Sequence, residues 1–136
     1  MSNIEQTLSI IKPDAVERNL DNEIKQIFIK NGFNISKEKK IQIEKSEAEK
    51  FYKVHETKPF YNDLCSYLSS GPIVAMILEK KNAVADNRKL MGATNPADAE
   101  DGTIRKKYGI SIDKNSVHGS DSVENAKIEI DFFFKD

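Results

Sequence analysis

Apolar and polar positions alternate along this chain in a pattern that predicts a mixed α and β structure. Two apolar runs and, between them, a stretch that alternates on either side of a charge run predict strands. The second apolar run is the most apolar stretch and therefore the expected centre of a sheet. The strands are expected at 7–11, 33–43 and 72–78, with a short fourth strand at Val117. Helical spacing predicts helices at 22–30, 83–91 and 123–134, and a helical hairpin at 46–70.

The order of these elements predicts the fold class. A β-α-β-(αα)-β-α-loop-β-α order fits a sheet with helices on one face, and the most economical arrangement is a ferredoxin-like βαββαβ core. The expected fold is α+β, with a four-stranded antiparallel sheet covered by helices, an inserted helical hairpin and a long loop. At 136 residues the chain has the length of one domain, spanning 1–136.

A long stretch between Gly92 and Ser116 has no regular pattern and is expected to be an irregular loop. Such a length without regular structure is unusual in a compact domain, and loops of this kind tend to carry function. Within it, Thr94 and Arg105 can bind phosphate, and Ile112 offers an apolar surface.

Charge and composition argue against several classes of function. The 21 basic and 22 acidic residues give a net charge of −1, which disfavours binding to nucleic acid or to a membrane surface by bulk positive charge. The single cysteine, Cys65, excludes an intrachain disulfide and a zinc site with several cysteine ligands. The polar N-terminal residues and the lack of an apolar run of about 18 residues predict a soluble, cytoplasmic protein.

The candidate chemistry centres on His118, in the octet Asn115–Ser122. A neutral imidazole is a nucleophile near pH 7 when another group fixes which nitrogen carries the proton. Gly119 permits close backbone approach and a positive φ angle, and Asp121 with Glu124 is expected to cap the following helix. A histidine in this setting is also typical of an ordinary polar turn, so the octet alone leaves both interpretations open.

Other residues along the chain complete a set suited to phosphoryl transfer. That reaction depends on positioning and on cationic groups that stabilise charge on phosphate oxygens. The candidates are Lys12, Tyr52, Phe60, Arg88, Thr94, Arg105, Asn115, His118, Ser120 and Glu129. Some of these residues also fit a purely structural role, since a lysine before a turn is usually solvated and aromatic residues at a helical bend usually belong to the core. The absence of a Walker A motif, a kinase glycine-rich loop and a Gly-x-Gly-x-x-Gly motif disfavours the common nucleotide-binding architectures.

Six segments in order make the chain resemble the nucleoside diphosphate kinases over essentially its whole length. They are Ile11-Lys12-Pro13-Asp14-Ala15-Val16, Lys58-Pro59-Phe60, Ser70-Gly71-Pro72, the stretch from Arg88 to Ala97, Gly102-Thr103-Ile104-Arg105, and the octet Asn115–Ser122. Any one of them could arise by chance, but all six in this order make an accident very improbable.

The resemblance implies transfer of the γ-phosphate of a nucleoside triphosphate, typically ATP, to a nucleoside diphosphate through a phosphohistidine on His118, in a ping-pong scheme. It implies that Nδ1 attacks, that a backbone carbonyl holds the other ring nitrogen, and that Glu129 and Ser120 orient the ring. It further implies contacts of Lys12 and Tyr52 with the transferring phosphate, of Arg88, Thr94 and Arg105 with the other phosphates, of Lys12 and Asn115 with the ribose 3′-hydroxyl, and of Phe60 and Ile112 with the base. Stacking suits any base, so broad nucleotide specificity is expected.

The same resemblance implies Mg²⁺ held mainly by substrate phosphates and water, without a dedicated metal motif. It also implies a homo-oligomer, with a hexamer favoured over a tetramer. The chain departs from the family pattern at Asn19 and at Asp21-Asn22, both outside the catalytic set, and at Tyr61, where phenylalanine is common. The alternatives are a catalytically silent nucleotide-binding or regulatory module on the same fold, disfavoured because every site position is intact, and a nucleic-acid-binding or interaction protein, disfavoured as a main role by the balanced charge.

Overall fold

The computed structural model describes residues 4–111 and 114–134. Within these ranges the strands are β1 (Ile4–Ile11), β2 (Asn34–Ile41), β3 (Ile73–Lys81) and β4 (Val117–Gly119). The helices are α1 (Pro13–Glu17), α2 (Asp21–Lys30), α3 (Lys45–Phe51), α4 (Tyr61–Leu68), α5 (Ala83–Met91), α6 (Ile104–Tyr108) and α7 (Val123–Phe134), with 3₁₀ turns at Lys53–His55 and Pro96–Asp98. In this described part of the chain, every helix is too short or too polar to cross a membrane.

The strands form one antiparallel sheet in the order β2-β3-β1-β4. One edge of β1 pairs with β3, from Ile4 opposite Lys81 to Ile11 opposite Val74. The other edge pairs with β4, where Ile10 lies opposite His118. This order places the first and last strands of a βαββαβ unit side by side, so the predicted α+β, ferredoxin-like fold is confirmed. It also places the candidate histidine beside a central strand.

Helices cover both faces of the sheet, so the expectation of helices on one face is wrong. One apolar cluster contains Ile11, Val74 and Met76 and packs against α1, α2, α5 and α6. A second contains Leu8 and Ile73 and packs against α3, α4 and α7. Successive side chains of a strand point to opposite faces. The first six residues of β3 are all apolar and buried, so this strand needs cover on both faces.

The stretch predicted to be irregular contains a regular helix, α6. The hydroxyl of Thr103 accepts a hydrogen bond from the Lys106 N–H at 3.3 Å and caps this helix. Ile104 and Tyr108, one turn apart, are both buried. Because α6 has only five residues, two buried side chains and a cap are all that mark it in the sequence.

The start of α3 and the turn after α1 also differ from simple expectation. The pattern predicts a helical hairpin that begins with a capping box at Ser46, but the Glu47 carboxylate accepts a hydrogen bond from the Glu44 N–H at 3.1 Å, so the cap lies at Glu44. Asn19 adopts a φ of 59°. Asparagine tolerates this left-handed conformation better than most residues, so the turn forms without a glycine.

Candidate active site

His118 lies in the middle of β4, and the turn before that strand sets its position. Ser116 has a φ of 74°, a left-handed conformation that residues other than glycine rarely adopt. Its carbonyl accepts a hydrogen bond from the Lys12 N–H at 2.8 Å, which attaches the turn to the end of β1. The strand then directs the imidazole toward Glu129 on α7, and the histidine side chain remains 20% exposed.

The imidazole is held through its Nε2 atom. This nitrogen lies 3.0 Å from Oε1 of Glu129, and the same oxygen accepts a hydrogen bond from the Ser120 hydroxyl at 2.8 Å. A carboxylate can only accept, so in the neutral imidazole Nε2 carries the proton and the lone pair lies on Nδ1. The structure therefore differs from the expectation that a backbone carbonyl holds this nitrogen, because the carboxylate contacts it directly.

Ser120 connects the sheet to the carboxylate. Its backbone N–H donates to the carbonyl of Leu8, and its hydroxyl oxygen accepts from the Leu8 N–H, both at 3.2 Å. Since the same hydroxyl donates to Glu129, Ser120 fixes the position of that carboxylate relative to β1.

The start of α7 corrects another prediction. The hydroxyl of Ser122 accepts a hydrogen bond from the Asn125 N–H at 3.1 Å, so Ser122 caps the helix. Asp121 instead accepts from the side-chain amide of Asn125 at 2.6 Å. The predicted capping box of Asp121 and Glu124 is therefore wrong.

Gly119 is needed for close packing and not for a positive φ. In the described ranges, the glycines with positive φ are those at 32, 92 and 102. A Cβ atom on Gly119 would lie 2.4 Å from Nδ2 of Asn87 and 2.7 Å from Cε of Met91, both on α5. The helix that carries Arg88 therefore packs directly against the backbone next to the histidine.

Lys12 and Asn115 form a buried pair beside this strand, with 6% and 2% exposure. The Lys12 Nζ donates to Oδ1 of Asn115 at 2.9 Å, and the Asn115 amide donates to the Thr94 carbonyl at 3.0 Å. A buried ammonium requires nearby acceptors, which this amide oxygen supplies. Thr94 itself is exposed, and it contacts the pair through its backbone carbonyl.

Arg105, on α6, is buried behind β4. Its guanidinium donates to the carbonyls of Gly92 at 3.0 Å and Val117 at 2.8 Å. Burial, followed by the positive charge of Arg88, lowers the pKa of Arg105 to about 10. Two cations that repel one another are stabilised by an anion placed between them, which is the electrostatic property of a phosphate site.

Aromatic side chains pack around the imidazole. The ring of Phe51 lies edge-on to it at 5.4 Å between centroids, and that of Tyr52 at 6.4 Å. Burial, followed by the charge of Glu129, raises the pKa of Tyr52, so its hydroxyl stays protonated and able to donate. Phe60 is 46% exposed at the start of α4, and the His55 ring lies 6.3 Å from the rings of both Tyr52 and Phe60.

The structure brings most of the predicted site residues into one region. This region comprises the histidine strand, the end of β1 and the loop before β4. Hydrogen bonds, or effects on the pKa of a neighbouring group, connect seven predicted residues with it: Lys12, Tyr52, Arg88, Arg105, Asn115, Ser120 and Glu129. Phe60 lies at the exposed margin, and Ile112 lies outside the described residues.

Two neighbours of the histidine strand, Phe51 and Asn87, were not predicted as site residues. Asn87 falls at helical spacing between the buried residues Val84 and Met91, so its burial was visible in the sequence although its contact with Gly119 was not. Phe51 had no signal that distinguished it from an ordinary core aromatic.

Residues 5–136 match the protein-family model described as "Nucleoside diphosphate kinase". A nucleoside diphosphate kinase of Geobacter sp. (strain M21) is 56% identical over 131 residues, which are 96% of this chain and 96% of the relative. A nucleoside diphosphate kinase of Campylobacter jejuni subsp. jejuni is 56% identical over 132 residues, which are 97% of this chain and 96% of that relative.

Solved structures give the same result at the level of the fold. The Aquifex aeolicus nucleoside diphosphate kinase, in an orthorhombic crystal form, matches with a TM-score of 0.95 and 39% identity over 96% of this chain and 95% of that one. The nucleoside diphosphate kinase from Encephalitozoon cuniculi matches with a TM-score of 0.94 and 40% identity, over 97% of this chain and 90% of that one. Similarity in sequence and similarity in fold thus both extend over nearly the whole chain, including the strand that carries His118. The chain belongs to the nucleoside diphosphate kinase family.

Proposed function

We propose that this protein transfers the γ-phosphate of a nucleoside triphosphate, typically ATP, to a nucleoside diphosphate through a phosphohistidine on His118. Membership of the family establishes phosphoryl transfer between nucleotides. The observation that supports the histidine as carrier is the 3.0 Å contact of its Nε2 with Glu129, which leaves Nδ1 as the nucleophile.

In the first half-reaction, the Nδ1 lone pair attacks the γ-phosphorus. A nitrogen–phosphorus bond forms, the bond from phosphorus to the bridging oxygen breaks, and the nucleoside diphosphate leaves with that electron pair. The ring gains positive charge as the bond forms, and Glu129 stabilises the proton on Nε2. In the second half-reaction a terminal oxygen of another diphosphate attacks the phosphorus, and the electron pair returns to Nδ1.

The remaining residues would bind and orient the nucleotide. Arg105, with its lowered pKa, and Arg88 would pair with phosphate oxygens, because an anion relieves their mutual repulsion. The protonated Tyr52 hydroxyl and Lys12 would donate to the transferring phosphate. Lys12 and Asn115, already hydrogen-bonded to each other, would bind the ribose 3′-hydroxyl.

The other substrate contacts rest more on the resemblance. Thr94 would contact a phosphate, and Phe60 would stack on the base from its exposed position, with Ile112 across from it. Ser120 would act through Glu129, to which it donates a hydrogen bond.

Mg²⁺ is the proposed metal, and we expect it to enter with the nucleotide. Among residues 4–111 and 114–134, no group of three or more His, Cys, Asp or Glu side chains is placed to hold a metal ion. The site instead gathers cationic and neutral donors, which suit phosphate oxygens. When bound to those oxygens and to water, the ion would neutralise part of their charge.

We propose that the protein assembles as a homo-oligomer, with a hexamer favoured and a tetramer as the alternative. We also propose that it is located in the cytoplasm. The buried, free thiol of Cys65 fits a reducing compartment. A single domain over 1–136 also stays a prediction. Solution mass from light scattering distinguishes six chains from four.

The phosphohistidine is tested by incubation with ATP labelled at the γ-phosphate, without acceptor. We expect an adduct on the protein that is acid-labile and base-stable, and that any nucleoside diphosphate discharges. His118→Ala should form none, whereas a change at the second histidine, His55→Ala, should still give the adduct. Failure to form the adduct, or its persistence in His118→Ala, would contradict the mechanism.

A further inference from the structure

Asp14 is a buried carboxylate that the mechanism above does not use. Its side chain is 3% exposed at the start of α1. Its Oδ1 accepts a hydrogen bond from the Tyr67 hydroxyl, and its Oδ2 accepts from the Ser116 hydroxyl at 2.8 Å and from the Arg18 guanidinium at 3.1 Å. A buried carboxylate with both oxygens occupied by side-chain donors holds those side chains in fixed positions.

Asp14 and two of its partners, Tyr67 and Ser116, lie on segments that also carry proposed substrate-binding groups. Lys12 lies two residues before Asp14 at the end of β1. Tyr67 lies on α4, the helix that begins directly after Phe60. Ser116 lies in the turn between Asn115 and β4. One carboxylate thus joins the three segments that bring ribose, base and histidine contacts together.

The contact with Ser116 falls where the backbone of this serine adopts a left-handed conformation. Its φ of 74° costs free energy for a residue with a Cβ atom, and such a conformation persists only when its surroundings fix it. Here the serine hydroxyl is held by Asp14 and the serine carbonyl by the Lys12 N–H at 2.8 Å. Arg18 adds a contact to the hydroxyl at 3.3 Å and one to the Tyr108 carbonyl at 2.6 Å.

We infer that Asp14 is a positioning residue for phosphoryl transfer, which acts by holding the Ser116 turn so that the Lys12–Asn115 pair keeps its place relative to the histidine. Tyr67 extends the same restraint to α4. The inference rests on the proposed function, because it assigns Asp14 an effect on the groups proposed to bind the 3′-hydroxyl. A displacement of about 1 Å in such groups is enough to slow an enzyme severely.

The test compares Asp14→Asn with the wild-type protein on two substrates, an ordinary nucleoside triphosphate and its 3′-deoxy analogue. If Asp14 acts through the Lys12–Asn115 pair, kcat/KM should fall by about tenfold or more with the ordinary substrate and by about twofold or less with the analogue, since coupled losses do not add. A merely structural role would lower both values by the same factor.

Tyr67→Phe provides a second variant in case Asp14→Asn folds poorly. It removes only the hydroxyl that donates to Asp14, and it should show the same substrate-dependent loss at smaller size. Tyr61→Phe is the matched control, because it removes a hydroxyl from the same helix that instead donates to the Glu49 carbonyl. It should leave both values unchanged.

Equal losses on the two substrates, or no loss in Asp14→Asn and Tyr67→Phe, would overturn the inference while the phosphohistidine on His118 still stands. A wild-type protein without any preference for the 3′-hydroxyl would instead show that the role proposed for Lys12 and Asn115 is wrong, and the inference would fail with it.

Discussion

The reactivity of His118 depends on which of its ring nitrogens carries the proton. One contact in the structure indicates the position of the proton. Nε2 lies 3.0 Å from an oxygen of Glu129 that also accepts a hydrogen bond from the Ser120 hydroxyl. The oxygen cannot donate, so the proton lies on Nε2. Glu129 therefore holds the ring through Nε2, and in the proposed mechanism this leaves Nδ1 as the attacking atom.

Glu129→Gln should slow formation of the phosphohistidine by about 100-fold or more. Glutamine keeps the length of the side chain but removes the negative charge that stabilises the Nε2 proton, and its amide can donate to Nε2 and favour the wrong tautomer. Rapid-quench measurement of adduct formation gives the rate. Glu124→Gln, an exposed change on the same helix, is the control and should leave the rate unaltered. An equal effect of the two substitutions would contradict the assigned role.

Phe60→Ala should weaken nucleotide binding by about 1–3 kcal/mol, because it removes an exposed aromatic surface on which the base would stack. Titration calorimetry with a nucleotide and with ribose triphosphate, which has no base, separates this effect from a general disturbance of the site. The loss should disappear with ribose triphosphate. The same loss with both ligands would rule out base stacking.

At this scale the sequence supplied candidate side chains but not their geometry. Tyr52, Asn115 and Glu129 were candidates by residue type, and the resemblance then implied a role for each. That Nε2 meets a carboxylate, or that Ser122 and not Asp121 caps α7, depends on side-chain angles and on a shift of one residue at a helix start. Periodicity does not determine such details.

Among the elements, the contact between β4 and α5 places the histidine and Arg88 near each other. It depends on the missing side chain at Gly119, which faces Asn87 and Met91. Asn87 is fully buried, and its amide has no hydrogen-bond partner within the part of the chain described. In this contact Asn87 acts through the space that it fills next to Gly119.

Gly119→Ala should destabilise the protein by about 1–3 kcal/mol, because the new methyl group would overlap the Asn87 amide at 2.4 Å. It should also lower the rate of phosphohistidine formation by displacing β4. Adding Asn87→Ala should recover part of both losses, since it makes room on α5 without breaking a hydrogen bond. Urea unfolding of the two single variants and the double variant measures the coupling. Strictly additive effects would show that the two residues do not compete for space.

Element prediction succeeded where the pattern was long and failed where it was short. β1, β3 and α5 follow from apolar runs and helical spacing, and were expected within a few residues of their observed limits. α6 was missed because a single helical turn has no detectable period. The second covered face was missed because a strand apolar on both faces gives no alternation that separates one from the other.

At the scale of the whole molecule, residues far apart in the chain meet in networks that no local pattern shows. Tyr67 and Asp14, for example, are 53 positions apart. The order of the strands was predictable from the rules of topology, but the partners of a buried carboxylate follow only from the assembled fold. Residue types and the resemblance to a family supplied the candidate site residues, while the network behind them became visible only in three dimensions.

Buried tyrosines predict how this assembled fold responds to alkaline pH. Burial, followed by the hydrogen bond to Asp14, raises the pKa of Tyr67 above its ordinary value of 10, and burial raises that of Tyr52. The unfolded chain ionises these phenols near pH 10, whereas the folded chain keeps them neutral. The unfolded state therefore binds fewer protons than the folded state above pH 10, so the stability that these groups contribute is complete below that pH and is lost as the pH rises.

Tyr67→Phe should accordingly be less stable than the wild type at pH 8 by about 1–3 kcal/mol, because it leaves the Asp14 carboxylate without one buried donor. Phenylalanine cannot ionise, so this difference should narrow as the pH rises above about 10. Urea unfolding at a series of pH values from about 8 to 11 measures the difference, and absorbance near 295 nm follows ionisation of the phenols. A difference that stays constant across the series would mean that Tyr67 ionises equally in the folded and unfolded chains, and that its hydroxyl is not tied to Asp14 in the way described above.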